Sequence, residues 1–186
     1  GLAYAAGRND SGYFQASISD LRTATDAITA QIPTLTTDAR GSSWLIDALE
    51  TDVRLRVTPT SSDAQTFIGI GPAAEVDAYL SGVPHDEIIG LTDGTPVLHT
   101  SSGASPAAPP ADQSFWTATT SGAGPQRLSW SPAEGRWAVV IMNADGSAGL
   151  AVDARIEVKA GFLLPLALSL LVLGVLLTAG AVVLIV

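Results

Sequence analysis

The last 25 residues of the chain, Phe162 to Val186, contain no charged side chain. A transmembrane α-helix needs about 20 consecutive apolar residues, so this segment is long enough to cross the hydrocarbon core of a bilayer. All 18 acidic and 9 basic side chains precede it, within residues 1–161. The sequence therefore predicts an acidic, water-soluble domain over residues 11–160 and a transmembrane helix over residues 162–186.

Composition narrows the classes of function open to this domain. Its formal net charge of −9 disfavours nucleic acid as a partner, because an acidic surface repels phosphate backbones. The chain has no cysteine, which excludes disulfides, thiolate catalysis and zinc–sulfur sites. No cofactor-binding pattern and no converging set of metal ligands is predicted.

The flanks of the domain bear on its location. Residues 1–10 begin with a small apolar run, which we expect to be the stub of an N-terminal membrane segment or else a flexible terminus. Arg155 and Lys159 precede the predicted helix, but the positive-inside rule weakens for long domains. The abundance of Thr, Ser, Ala and Gly with a single Lys favours export. We therefore predict a cell-membrane protein with its domain on the extracytoplasmic side.

From residue 50 onward the sequence alternates between apolar and polar residues, interrupted by turn residues. Val53, Leu55 and Val57, for example, alternate with Arg54 and Arg56. This period of two indicates short antiparallel strands. We predict a mainly β fold, an antiparallel and jelly-roll-like β-sandwich with one short helix. The predicted strands are 52–58, 65–70, 87–91, 95–99, 115–119, 127–131, 136–142 and 150–158, with 26–32 as a further candidate.

Several segments between these strands have their own signatures. Pro72 to Gly82 predicts a helix with Val76, Tyr79 and Leu80 on one face. The remaining segments are a hairpin turn at Asp93-Gly94, a semi-extended or disordered loop over 101–113, a hairpin turn at 143–146 and a helical turn at 44–49.

Gly69-Ile70-Gly71-Pro72-Ala73-Ala74 matches the G-x-G-x-x-A fingerprint of dinucleotide sites, and Asp93 follows at the expected distance. Pro72, however, removes a backbone N–H from the phosphate cradle, and hairpins follow instead of a second βαβ unit. The sequence therefore predicts a tight turn and no nucleotide site.

His85-Asp86-Glu87 is the densest acid–base cluster, and His99 is the other imidazole. A hydrolase or a metal site would need further converging groups, and no G-x-S-x-G or H-E-x-x-H motif occurs. Our interpretation is a polar turn in which Asp86 and Glu87 accept loop amides, so no catalytic residue is assigned. Asn143 to Gly146 resembles part of a calcium loop but lacks its ligand spacing.

The later strands are rich in aromatic residues. Trp137 shares one strand face with Val139 and Ile141, which predicts that it points into the core. Trp116 pairs with neither pattern clearly, and the pattern of one sequence does not distinguish an inward Trp from an outward one, so Trp116 and Trp130 are the candidate glycan-stacking residues.

Small residues recur along the predicted membrane helix at spacings of seven, four and three: Ala167, Gly174, Thr178 and Ala181. Such a stripe lets a second helix approach closely, and it predicts packing against other integral membrane proteins in a hetero-complex. The segment has no ionisable group, which excludes an ion path within it.

Seven segments of the sequence resemble those of a family of uncharacterised actinobacterial membrane proteins. The matching segments are 12–14, 44–45, 53–57, 67–71, 76–87, 115–116 and 137–146, and 76–87 is the most specific. The resemblance implies an extracytoplasmic β domain flanked by membrane helices, and it implies no activity.

Two functions remain open from the sequence. The first is a non-enzymatic accessory or structural subunit, anchored in the lipid bilayer, that packs on a larger membrane protein complex. The alternative is a cell-envelope module that binds glycan or lipid through exposed aromatic residues. The sequence names no cofactor for either.

Overall fold

The computed structural model describes residues 3–8, 13–32, 53–92, 95–131, 133 and 135–159. They form two facing sheets, as the alternating sequence predicts. The strands are β1 Ala3–Arg8, β2 Tyr13–Thr23, β3 Ala27–Ile32, β4 Val53–Pro59, β5 Gln65–Pro72, β6 His85–Thr92, β7 Thr95–Ser101, β8 Ala118–Ala123, β9 Gln126–Trp130, β10 Trp137–Asn143 and β11 Leu150–Lys159. One helix, α1 Ala73–Tyr79, and a 3₁₀ turn at Pro110–Asp112 complete the described elements.

The five-stranded sheet has the order β1-β2-β11-β4-β9, and the six-stranded sheet has the order β7-β6-β3-β10-β5-β8. All strand pairs are antiparallel except β3 and β6, which run parallel. The expectation of a wholly antiparallel sandwich is therefore wrong at this pair. The helix α1 and its turn form a crossover connection from β5 to β6, which lets β6 run in the same direction as β5. Because β3 and β5 are both antiparallel to β10, β6 then also runs parallel to β3.

An inner core lies between the two sheets. It contains side chains that alternate along their strands, including Leu55 and Val57 of β4 and Leu128 of β9, each at most 6% exposed. Ile68, Ile70 and Ile141 of the other sheet pack against them. Burial of such side chains contributes about 1.5–3 kcal/mol each, so this layer is a large source of stability.

A second, outer core covers the far side of the six-stranded sheet. Phe67, Val140 and Met142 point away from the inner core, and they pack under Val76 of α1 and under Leu80, which directly follows α1. Residues 103–117 lie across the same face, with Ala107 and Pro110 buried. We call α1 and residues 103–117 the cover. The predicted loop over 101–113 is thus semi-extended and packed, not disordered.

Three local predictions differ from the structure. Residues 3–8, expected as a membrane stub or a flexible terminus, pair with β2 as an edge strand. The turn after β10 is not a hairpin turn, because β10 and β11 belong to different sheets. The strand expected at 115–119 begins only at Ala118, because Phe115 and Trp116 belong to the cover.

Other predictions are confirmed, and some lie outside the described residues. The helix at 72–82, the strands at 26–32 and 52–58 and the pairing of β6 with β7 are present. The tail 162–186, the stripe Ala167, Gly174, Thr178 and Ala181, and the helical turn at 44–49 fall outside the described residues. Within the described ranges, no helix is long and apolar enough to span a membrane.

Candidate functional site

Trp116, a candidate glycan-stacking residue, lies in an aromatic cluster on the six-stranded sheet. Its ring centroid is 4.3 Å from that of Phe115, 5.3 Å from that of Phe67 and 5.9 Å from that of Tyr79. The ring lies directly on the backbone of β5, since a Cβ atom added at Gly69 would stand 2.7 Å from it. The glycines of the G-x-G motif therefore make room for aromatic rings, not for a phosphate.

Two hydrogen bonds within the cover hold the rings of Trp116 and Tyr79 in place. The Trp116 Nε1–H donates to the carbonyl oxygen of Pro110 at 2.8 Å, and the Tyr79 hydroxyl donates to that of Ala108 at 2.6 Å. Burial and, to a smaller extent, the negative charge of Asp26 raise the pKa of Tyr79 to about 12. Trp116 is only half-buried, so part of its ring still faces solvent.

Trp130, the other candidate for sugar stacking, is 7% exposed and belongs to the inner core. Its ring packs against Trp137, with centroids 5.2 Å apart. Trp137 faces the same core, as predicted, and its Nε1–H donates to the carbonyl oxygen of Ala133. Trp130 points inward because the alternation of β9 places it on the same face as Leu128, so its ring offers no platform.

The His85–Glu87 cluster belongs to strand β6, and its central carboxylate is buried. Asp86 is 6% exposed and accepts hydrogen bonds from the hydroxyls of Thr23 and Thr100, not from loop amides as expected. Asp26 is the residue that accepts a loop amide, from Ala107 at 3.2 Å. The described residues include no group of three His, Cys, Asp or Glu side chains placed to hold a metal ion.

The outer face of the five-stranded sheet is charged. Because Leu55, Val57, Leu128 and Val152 point into the inner core, the residues between them point outward. The strand register places Arg155 opposite Arg56, and Arg56 opposite Arg127. Three arginines thus form one row across β11, β4 and β9, with Arg54 beside it. We call these four residues the arginine face.

The arginines of the row lack partners within the described part of the chain. No hydrogen bond or ion pair joins the guanidinium groups of Arg56, Arg127 and Arg155 to a described residue, and the Nε of Arg56 is buried without an acceptor. Two shallow cavities of about 190 and 230 Å³ flank Arg56. Hydroxyls line them too, those of Ser17, Ser19, Thr58 and Ser129.

Two acidic residues share this face. Asp153 accepts the backbone N–H of Asp20 at 2.8 Å, and Glu157 lies opposite Arg54 in the register. Asp153 lines the cavity beside Arg155, and Glu157 lines the cavity beside Arg127. Each cavity therefore has one carboxylate and at least two arginines, which leaves an excess of positive charge on the face. This geometry suits an anionic ligand.

The edge of the other sheet exposes apolar side chains. Ile89 is 60% exposed and Val97 is 36% exposed. They are near each other in the register, since Val97 pairs with Gly90 and Ile89 lies at the β-bulge between Ile88 and Gly90. Strand β7, which carries Val97, is an outer strand of its sheet.

Sequence reasoning placed Arg54 and Arg56 in water but did not find the arginine face. The signal is an arginine at an outward position in three separate strands: Arg56, Arg127 and Arg155. Only the pairing of β4 with both β9 and β11 converts these positions into a row. That pairing joins residues far apart in the sequence, so alternation within one strand does not reveal it.

Comparison with known proteins gives no family assignment. No family model and no curated protein matches the chain. The chain is similar to solved structures at low identity, among them Bacillus endospore appendages described as disulfide-linked pili, with 7% identity over 87% of this chain and 92% of that chain and a TM-score of 0.32.

Two carbohydrate-binding structures are also similar. A carbohydrate-binding module in complex with calcium and xylotriose shares 11% identity over 84% of this chain and 92% of that chain, with a TM-score of 0.27. A xylan-binding domain from Paenibacillus barcinonensis shares 11% identity over 87% of this chain and 82% of that chain, with a TM-score of 0.26. Scores this low transfer neither ligand nor function to this chain.

Proposed function

We propose that this protein is a non-enzymatic accessory subunit, anchored in the cell membrane, that packs on a larger membrane protein complex with its sandwich on the extracytoplasmic side. The observation that carries the proposal is the exposed apolar pair Ile89 and Val97 on the edge hairpin β6–β7. The membrane anchor in this proposal is the uncharged segment 162–186.

An edge hairpin with exposed apolar side chains is a natural protein contact. Strand β7 has a neighbour on one side only within the described sheet, so its outer backbone groups are open to a partner strand. Ile89 and Val97 add apolar area next to this edge, and adjoining exposed apolar side chains mark interaction sites in soluble domains. The hairpin therefore supports a protein partner.

A binding role also agrees with the buried acid–base cluster. Threonine hydroxyls occupy both carboxylate oxygens of Asp86, and the His85 Nδ1 lies 2.8 Å from the carbonyl oxygen of Val83. These groups hold β6 in place and have little freedom to act on a substrate. The stripe Ala167, Gly174, Thr178 and Ala181 supplies a second contact, with a partner helix in the bilayer.

Native mass spectrometry after extraction in mild detergent tests the proposal. The full chain is expected in a complex heavier than its own 19.0 kDa. Ile89→Asp should release it as a monomer, because a charge at this position cannot be buried against a partner. Thr119→Asp is the matched control, since Thr119 is exposed on β8 at the opposite edge of the same sheet, and it should leave the complex intact.

Migration of the wild-type chain as a lone monomer under all extraction conditions would overturn the accessory role. The anchor has its own test: the chain should stay in the membrane during a carbonate wash. Release by carbonate would show that residues 162–186 do not hold it in lipid.

A second candidate is a module that binds cell-envelope glycan or lipid, and the partial exposure of Trp116 favours it. Sugars stack on aromatic faces, and Trp116 has Phe115 beside it. Binding of cell-wall polysaccharide should then disappear in Trp116→Ala and persist in Trp137→Phe. Unchanged binding in Trp116→Ala would remove this candidate.

A further inference from the structure

The arginine row destabilises the protein on its own. Neighbouring strands lie about 4.8 Å apart, so Arg155, Arg56 and Arg127 hold like charges in successive cross-strand pairs. Like charges directly opposite each other are unfavourable, and a buried donor without an acceptor, such as the Arg56 Nε, adds to this. An anion placed between the guanidinium groups would relieve both effects.

We infer that the arginine face binds a linear chain of phosphate groups. Guanidinium groups pair with phosphate oxygens in a fork of two parallel hydrogen bonds. The row spans about 10 Å across three strands, which suits successive anionic groups of one chain better than a single anion. The hydroxyls of Thr58 and Ser129 lie along the two cavities beside Arg56 and can donate to the remaining phosphate oxygens.

The chemistry of the face argues against a protein as the occupant. The exposed large hydrophobic residues among those described are Ile89, Val97 and Ile156. None of them is on this face, because Ile156 alternates with the outward-pointing Arg155 and Glu157, and the other two belong to the other sheet. Protein interfaces have an apolar centre, whereas the outward side chains described around Arg56 are charged or carry hydroxyl groups. It fits a hydrophilic polyanion.

The net charge of −9 does not prevent such binding. At physiological ionic strength, interactions between exposed charges are largely screened beyond about 8 Å, so a phosphate in the row interacts mainly with the arginines around it. Binding should therefore be local, moderate in affinity and weakened by salt. The inference is independent of the accessory role, since the β6–β7 edge belongs to the other sheet.

Tripolyphosphate is a suitable probe, titrated calorimetrically into the full chain in discs of phosphatidylcholine. The wild-type chain should bind it saturably. The double variant Arg56→Gln/Arg127→Gln should bind at least about tenfold more weakly, because it loses two hydrogen-bonded charge contacts.

The matched control is Arg22→Gln/Arg136→Gln, which makes the same change in net charge. Arg22 pairs with Asp20, and Arg136 donates to Gln31, so neither is free to bind the probe. This control should bind as the wild type does. Circular dichroism of each variant in the same discs checks that the fold is retained.

No saturable binding by the wild type, equal binding by the Arg56→Gln/Arg127→Gln variant, or an equal loss in the control would each overturn the inference. Discs containing phosphatidylglycerol identify the source of the phosphate. Perturbation of the headgroup phosphorus NMR signal in these discs by the wild type but not by Arg56→Gln/Arg127→Gln would overturn the inference, because the occupants would be separate lipid headgroups and not one chain. An unperturbed signal together with saturable tripolyphosphate binding would support it.

Discussion

The two sheets of this sandwich have opposite outer faces. In the six-stranded sheet the outer face is apolar and lies under the cover, so Thr66 to Gly71 of β5 are all buried. In the five-stranded sheet no described element covers the outer face, which we call the bare face, and the burial of β4 alternates residue by residue. A strand with two covered faces reads as a continuous apolar run, and a strand with one covered face alternates. Continuous burial along a strand therefore marks the sheet whose outer face is covered and stabilises the fold. Alternating burial marks the sheet whose outer face is available for binding.

The largest difference in stability between the two outer faces is expected at Phe67. Its side chain points outward from β5 but is 1% exposed beneath Trp116. Phe67→Ala should lower the free energy of unfolding by about 3–5 kcal/mol, as for other buried aromatic residues. Arg127→Ala, an outward position on the bare face, should change it by no more than about 0.5 kcal/mol. Urea unfolding measures both, and equal effects would show that the two faces do not differ.

A smaller effect tests the close contact between the cover and β5. Gly69→Ala would place a Cβ atom 2.7 Å from the Trp116 ring, so it should destabilise the fold by about 1–3 kcal/mol. Gly90→Ala is the control, because no atom lies within 4 Å of its added Cβ. The near-ultraviolet circular dichroism of Trp116 should change in the first variant alone. A stable Gly69→Ala variant with an unaltered spectrum would mean that the cover does not pack as described.

Tyr79 makes the stability of the covered face depend on pH. Its pKa is raised from 10.0 to about 12, so the folded state holds the phenolic proton more tightly than the unfolded state. The resulting stabilisation is present below pH 10 and is lost as the pH rises through about 12. Tyr79→Phe should lose about 1 kcal/mol at neutral pH, from its bond to Ala108, and should show a smaller alkaline decline. Parallel pH profiles for both proteins would contradict this prediction.

The smallest expected change in the free energy of unfolding is at Arg56, and it is a gain in stability where the substitutions on the covered face cause a loss. Arg56→Gln removes the central charge of the arginine row, so it should raise the free energy of unfolding by a few tenths of a kcal/mol at about 0.01 M salt. At about 1 M salt the gain should vanish, because charges on the bare face are screened. Urea unfolding at both salt concentrations measures it. A loss of stability at low salt would mean that Arg56 has a favourable partner in the free protein.

The sequence predicted those elements whose signals are local. The alternation around Leu55, the proline before Ala73 and the Asp93-Gly94 dipeptide each depend on neighbouring residues, and β4, α1 and the β6–β7 pair follow from them. Strand β2 was missed because its inward residues Ile18 and Leu21 are three apart. The β-bulge at Asp20, whose φ is 59°, interrupts the period of two there.

The candidate site was harder to predict because it depends on strand order. Phe115 and Trp116 have the residue types of a strand, but they belong to the cover. Gly69 and Gly71 have no side chains, so the two rings can pack directly on the backbone of β5. Arg127 and Arg155 resemble ordinary solvated residues of their strands, and only their registers with β4 bring them to Arg56.

Arginine labelling can show whether the outer face of the five-stranded sheet is open and binds phosphate while that of the six-stranded sheet is covered. Phenylglyoxal would be applied to the full chain in phosphatidylcholine discs, with and without tripolyphosphate, and modification quantified peptide by peptide. We expect Arg127 and Arg155 to react readily with phenylglyoxal and to be protected by tripolyphosphate, while labelling of Arg136 does not change. Equal labelling of Arg127 and Arg155 with and without tripolyphosphate would contradict it.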